Sequence, residues 1–486
     1  MNGKALFSAY DPEKEATRWI GSLELAPTGT LFLLGDAGGY LEAAVAVHSP
    51  SVRVVSLVPE KTGSASQEWS WWPGKQPLAT FLEAVLEKTG PASCRWQVWP
   101  AFERAAPSEC LEWTSTFRDV FRTVQGSWLT WKHSGTRWWR NALRNAAGWE
   151  SAVTPVAGTR PIVVAASGPT LQDGLEVLRR CRSSFDLWAL PSSFEALRLR
   201  GLEPDVGITT DGGFYAREHL RRLAGGKAQV VSALSGAPDS LLEARPTAFF
   251  GQGLPWETEI LSQFPLPPTQ VPSQGTVAVT ALHWAQALTS GPVLVAGLDL
   301  AFRDFRAHVS GHTVDRRLAS AVGRLSPWEA LWAERYFSQA TLEVAPGVHT
   351  SPAMRTYALW LGAQPRFARP LLRLAPTQVT WPGTQPLEWN ALAELAVEGS
   401  GQPVTWSAVQ GWPSRTDRVT RLRAMLVRWR TRLLAGQMTK ETLRRWSETA
   451  QPDLLQAHLT AASSPRPADL DLAGPLAEFL STLEVR

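Results

Sequence analysis

Residues 161–211, PIVVAASGPTLQDGLEVLRRCRSSFDLWALPSSFEALRLRGLEPDVGITTD, limit the fold more than any other part of the chain. They hold three short apolar runs, each closing on a small or acidic residue. Residues 162–166 have no polar interruption, as a strand covered on both faces requires. After Ser167-Gly168-Pro169-Thr170 the apolar positions Leu171, Leu175 and Leu178 fall at helical intervals. Strand, tight turn and helix in this order predict an α/β fold with a parallel sheet. The turn also gathers backbone N–H groups and the positive end of a helix dipole at one point, which suits a phosphate. Glycine in such a turn has a second explanation, its permissive backbone, and the turn alone does not separate the two. Asp211 closes the third run, and sheets of this kind take ligands at the carboxyl ends of their strands.

The order Ala166-Ser167-Gly168-Pro169-Thr170-Leu171, then Ser192-Ser193, then Gly201-Leu202-Glu203-Pro204-Asp205 and Asp211 resembles the central domain of the motility accessory factor family, the DUF115 or MptE-like domain of flagellin glycosyltransferases. A second block agrees, SQGTVAVTALHWAQALTSGPVLVAGLDLAFRDFRAHVSGH at 273–312, with a helix, a strand, a Gly297-Leu298-Asp299-Leu300-Ala301 strand end and then a histidine. The same order is seen in bacterial sialyltransferases, which share this fold. The resemblance covers residues 155–365 well and the flanks loosely. Three positions depart from it: Ala166 stands for a glycine, Thr170 for a serine and Leu298 for a glutamine.

The full chain has 486 residues, enough for about three domains. It is 44% hydrophobic and 19% charged, the make-up of a folded protein. Its net charge of +4 is too small to argue for nucleic acid. The 24 tryptophans are expected in cores and between domains more than on sugar-stacking surfaces. Cys94, Cys110 and Cys181 have no paired metal spacing, so a reducing compartment and no zinc site are expected. The first residues lack the apolar run of a signal peptide, and no segment has the roughly 18 apolar residues of a membrane span; the expectation is a cytoplasmic protein.

Along the chain we expect a Rossmann-like domain at 1–106, a helical connector at 107–155, the central domain at 156–398 and a mainly helical region at 399–486. The first of these has its own turn, Gly35-Asp36-Ala37-Gly38-Gly39, after a buried strand. Its G-x-x-G-G spacing is a poor dinucleotide fingerprint, and we read it as a degenerate nucleotide-binding fold. Residues 61–76 read as a loop. Asn141 and Asn145, one helical turn apart, match a feature of the family's connector; surface amides bonding locally are the simpler expectation. Tyr357 is expected on a helix face toward the central sheet. Six arginines from Arg418 to Arg432 are expected on a solvated helix face, with docking on an acidic partner as the minority account.

The resemblance implies transfer of a nonulosonic acid from its CMP ester to a serine or threonine of flagellin or another flagellar protein, with no metal required. It places Ser167, Gly168, Pro169 and Thr170 on the donor phosphate, and Ser192, Ser193 and Asp211 on the nucleoside. Ser273, Gln274, Gly275 and Thr276 would close over the donor. Asp299 either touches substrate or bonds backbone amides of a neighbouring loop. His308 would take the acceptor proton, with His312 as its alternate. Two other functions remain open: pyrophosphate transfer from ATP to a 6-hydroxymethylpterin, with Asp205, Asp211 and Asp299 on magnesium, and a non-catalytic relative that binds a nucleotide or a flagellar subunit.

Overall fold

The computed structural model describes residues 5–61, 68–91, 94–239, 243–267, 269–271, 276–339, 342–346, 348–363, 369–374, 384–398, 401–435 and 437. These residues divide into two compact units, at 136/137 and at 428/429. The first division falls inside one long helix, Pro107–Gly148. Among the described residues no helix is long and apolar enough to cross a membrane.

The first unit is built on the strands β1 (Gly29–Leu34), β2 (Val52–Leu57), β3 (Ser70–Trp71) and β4 (Cys94–Val98), all parallel, in the order β3-β2-β1-β4. The short β3 lies within the stretch expected to be loop, because two residues suffice to pair with the end of β2. All six residues of β1 are buried, as its unbroken apolar run requires. Past β1, Gly35 takes φ +92° over the Phe102 ring, where a side chain would collide. Asp36 is buried, and its two carboxylate oxygens accept the Leu41 and Glu42 N–H groups at 3.0 and 2.9 Å. These belong to the first turn of the helix Tyr40–His48. The helix start where a phosphate would sit is thus filled by the chain's own carboxylate.

The second unit contains β5 (Val153–Val156), β6 (Ile162–Ala165), β7 (Asp186–Ala189), β8 (Val206–Thr209), β9 (Gln229–Ala233), β10 (Thr247–Phe250), β11 (Val293–Ala296), β12 (Leu342–Ala345), β13 (Val348–Thr350), β14 (Leu371–Leu374), β15 (Thr384–Leu387) and β16 (Thr405–Ala408). Eight of them form one parallel sheet in the order β10-β9-β8-β7-β6-β11-β14-β15. β12 and β13 make a hairpin, and β5 pairs antiparallel with β16. That last pairing joins residues 405–408 to the body that begins at 137. The fold is α/β, as the sequence predicts.

One sheet face packs Ile162, Val164, Trp188, Ile208, Val231 and Phe250 against the helix Val277–Leu288. The helix Leu171–Arg180 meets the helix Trp389–Glu398 where Gly174 faces the Trp389 indole, and a Cβ there would overlap the ring. Trp139, Trp149, Trp188 and Trp256 are fully buried, in keeping with a packing role.

Three expectations need correction. Asn141 and Asn145 are buried and donate to carbonyls of distant loops, where surface amides bonding locally were expected. Tyr357 is 40% exposed on the helix Pro352–Ala363, and Ala358 and Leu361 face the core instead. Arg418, counted among solvated arginines, is 1% exposed. Its guanidinium donates to the Ala147, Gly148 and Pro413 carbonyls, capping the carboxyl end of the long helix with the charge that its dipole favours.

Candidate functional site

Chain order explains where the eight-stranded sheet opens. From β6 the chain builds outward through β7, β8, β9 and β10, then returns to lay β11 on the other flank of β6. β6 and β11 therefore flank a topological switch point, where the loops leaving two neighbouring strands diverge and leave a crevice. Ser167 to Thr170 follow β6 there, and Gly297 to Asp299 follow β11.

These two turns lock together. The Gly168 N–H donates to the Gly297 carbonyl at 2.7 Å. The Thr170 N–H and hydroxyl donate to the two oxygens of Asp299 at 2.7 and 2.5 Å. Leu171 and Gln172 N–H groups return to the carbonyls of Gly168 and Pro169. A Cβ on Gly168 would stand 2.5 Å from both Asp299 Oδ2 and the Gly297 carbonyl, so the glycine answers to a close approach of two strand ends. The N–H groups that the sequence offers to a phosphate are, apart from the one on Ser167, drawn into this lock.

Asp299 is 1% exposed. Burial lifts its pKa from the ordinary 3.8 to about 6, against the Thr170 hydrogen bonds that pull it down. The folded chain therefore holds this proton to higher pH than the unfolded chain. Stability from this group is greatest below pH 4 and falls as pH rises through 6, by roughly 3 kcal/mol in all. Asp299→Asn is expected to abolish that slope while losing one Thr170 hydrogen bond, because an amide nitrogen does not accept. Urea unfolding should find the variant weaker by about 1–2 kcal/mol at pH 4.5, and the gap should close by pH 7.5. An equal gap at both pH values would refute the assignment.

The groups that remain turned to the crevice come from three strand ends. Ser192, after β7, donates to the Ser167 hydroxyl at 3.1 Å. Ser167 Oγ lies 3.5 Å from His308 Nδ1. Ser193 is fully buried and its hydroxyl goes to the Ala165 and Leu190 carbonyls, which fixes the end of β6. Asp211 is exposed beyond β8, with one oxygen accepting the Gly213 N–H. Thr276 caps the helix Val277–Leu288. Pro169 is buried in the turn, and Ser273, Gln274 and Gly275 lie outside the described residues. Asp205 precedes β8, at the opposite edge of the sheet, bound to Arg182 at 2.8 Å. The carboxylates Asp205, Asp211 and Asp299 thus do not converge.

The loop that carries His308 is held on both sides. Leu300, Asp304 and Phe305 take left-handed backbone angles, φ +50°, +49° and +62°, which non-glycine residues rarely adopt. Arg303 binds Asp173 on the helix Leu171–Arg180 at 2.5 Å. The Phe302 N–H donates to the His349 carbonyl, and the Thr350 hydroxyl to the Leu300 carbonyl. Burial and the charges of Arg335 and His219 push the His308 pKa down to about 4, so its imidazole is neutral at pH 7. His312 stacks on it, ring centroids 4.0 Å apart. His312 Nδ1 accepts the Val314 N–H, which leaves its Nε2 as the protonated nitrogen. His308 faces the Ser167 hydroxyl at the strand end, whereas His312 spends its Nδ1 on a helix start. Sequence reasoning missed His219 and Arg335, which reach the site from other elements and belong to no motif, and it gave no role to Arg303, which lies on the His308 loop itself.

Comparison with known proteins adds three findings. Residues 140–305 match the family profile of the 6-hydroxymethylpterin diphosphokinase MptE-like domain. A Treponema pallidum (strain Nichols) protein described as uncharacterized is 26% identical over 204 residues, a stretch that spans 40% of this chain and 45% of that protein. The structure of a MAf glycosyltransferase from Magnetospirillum magneticum AMB-1 superposes with a TM-score of 0.60 and 11% identity, over 99% of this chain and 87% of that one. Residues 140–305 are thus similar to the MptE-like domain, and the chain shares the fold of the MAf glycosyltransferase.

Proposed function

We propose that the chain transfers a sugar from a nucleotide-activated donor to an acceptor hydroxyl, with a CMP-activated nonulosonic acid as donor and a serine or threonine of a flagellar protein as acceptor. The observation that carries the reading is the Ser192–Ser167–His308 relay at the switch point of a parallel sheet. Nucleotides bind in such crevices. With the proton on Nδ1, toward Ser167, the His308 Nε2 lone pair is available to the acceptor hydroxyl. As the acceptor oxygen bonds to the anomeric carbon, the bond from that carbon to the CMP oxygen breaks. The acceptor proton passes to Nε2, and the CMP phosphate leaves with the electron pair. The Ser167 hydroxyl accepts from Ser192 and so keeps its own proton to donate to that phosphate as its charge grows.

Thermal-shift titration with CMP, CMP-sialic acid, ATP, and ATP with magnesium tests the reading. Ligand at 100 times its dissociation constant stabilises a fold by about 2.7 kcal/mol. Stabilisation by the CMP ligands, weakened in Ser167→Ala, is the expected result. A response confined to ATP with magnesium would transfer the case to the pyrophosphate chemistry in the family's description. No response to any of the four would favour a non-catalytic relative.

A further inference from the structure

Beyond the relay, the site has a charge feature that transfer chemistry alone does not explain. His308, His312 and His219 form one cluster: the first two rings stack, and His219 lies 5.1 Å from His312. Two arginines bear on it, Arg317 from the helix Thr313–Ala319 and Arg335 from the helix Trp328–Ser338. Arg317 is accommodated, 3.7 Å from Glu218 and over the Tyr215 ring at 4.5 Å. Arg335 is not. Its Nε is shielded from solvent with no hydrogen-bond acceptor, and no carboxylate among the described residues pairs with it.

The acids of the neighbourhood are committed elsewhere. Asp211 and Glu218 act on His219, and Asp315 accepts the Gly311 N–H and faces Arg306. A part-buried guanidinium without a counter-charge is unfavourable, and a bound anion relieves it. Its charge bears on His308 and His312, neutral imidazoles that burial and the arginines keep from charging, and His312 carries its proton on Nε2. A planar fork of donors matches a carboxylate better than it matches a neutral hydroxyl.

We propose that Arg335, together with His312, receives the carboxylate of an acidic sugar, next to the Ser167–Ser192 pair that would face the nucleotide phosphate. The inference rests on the donor reading above and adds to it the reason for an acidic sugar over a neutral one. The full chain is titrated by calorimetry with CMP and with CMP-N-acetylneuraminic acid, as wild type, Arg335→Gln and Arg335→Lys. Wild type is expected to bind the acidic sugar nucleotide at least tenfold tighter than CMP. Arg335→Gln should erase that advantage and leave CMP affinity within twofold, which also shows that the variant is folded; Arg335→Lys should keep part of it. Equal weakening of both ligands by Arg335→Gln would assign the guanidinium to phosphate and overturn the proposal. Wild-type affinity equal for the two ligands would overturn it while leaving nucleotide binding in place. Failure of wild type to bind either would remove the donor reading itself, and this inference with it.

Discussion

Asn145→Leu is expected to destabilise the chain by about 3–5 kcal/mol, a large loss for a substitution of nearly equal volume. Asn145 is buried, and every polar atom of its side chain is used. The amide nitrogen donates to the Leu234 and Gly236 carbonyls, both at 2.9 Å, and the amide oxygen accepts the Trp149 indole N–H at 3.1 Å. Leucine fills the space and orphans all three partners, each costing roughly 1–3 kcal/mol less whatever relaxation recovers. Asn141, one turn earlier, does the same for the Gly212 and Ser235 carbonyls at 3.1 and 3.2 Å. The pair thus fastens the helix Pro107–Gly148 to the loops that leave β8 and β9. One of those loops also holds Asp211, whose carbonyl accepts the Ala237 N–H at 2.9 Å, so loosening it should disturb the exposed acid beside the site. Urea unfolding followed by far-UV circular dichroism would check the figure, with the slope unchanged and the midpoint lowered. A loss under about 1 kcal/mol would mean that the loops find other donors, and the bracing role would be withdrawn.

These asparagines also mark where sequence reading stops. Their spacing was visible, and a local bonding role was the simplest account, because their partners lie 71 to 94 residues away. The parallel strands were legible for a physical reason: burial on both faces forces unbroken apolar runs such as 162–166 and 293–296. The glycine turn and the strand-ending Asp299 were legible as places, and a bond from Asp299 to a neighbouring loop's backbone was one of its two expected roles, though Thr170 as the partner was not. Neither turn carries a sign that Thr170 will spend its N–H and hydroxyl on a carboxylate 129 residues on. Arg418 shows the opposite failure. In a helix with arginines on its other faces, composition argued for water, and the free carbonyls of another helix end claimed it. Long-range pairing of polar groups is the part of the fold that periodicity does not encode, and in this chain it determines which site residues are free for a ligand.

His308→Gln is expected to lower turnover by about 10²–10⁴-fold while leaving donor affinity within a few fold, on the reading that His308 takes the acceptor proton. Glutamine retains a polar group toward Ser167, so the loop that Arg303, His349 and Thr350 hold should keep its shape. The pH dependence separates a base from a merely structural histidine. In the empty site His308 loses its proton near pH 4, below the ordinary 6.5, because burial penalises the imidazolium and Arg335 and His219 repel it. The acid limb of kcat/KM, which reports the free protein, should therefore lie well below pH 6 in wild type. A bound donor brings negative charge beside the ring and favours its protonated form, so the acid limb of kcat should stand at higher pH than that of kcat/KM. A variant with wild-type turnover would remove His308 from the reaction, and so would two limbs that coincide near 6.5. The low pKa of the empty site is compatible with this role. Desolvation ensures that the nitrogen is unprotonated when donor arrives, and the donor's own charge then raises its basicity at the moment the acceptor proton must move.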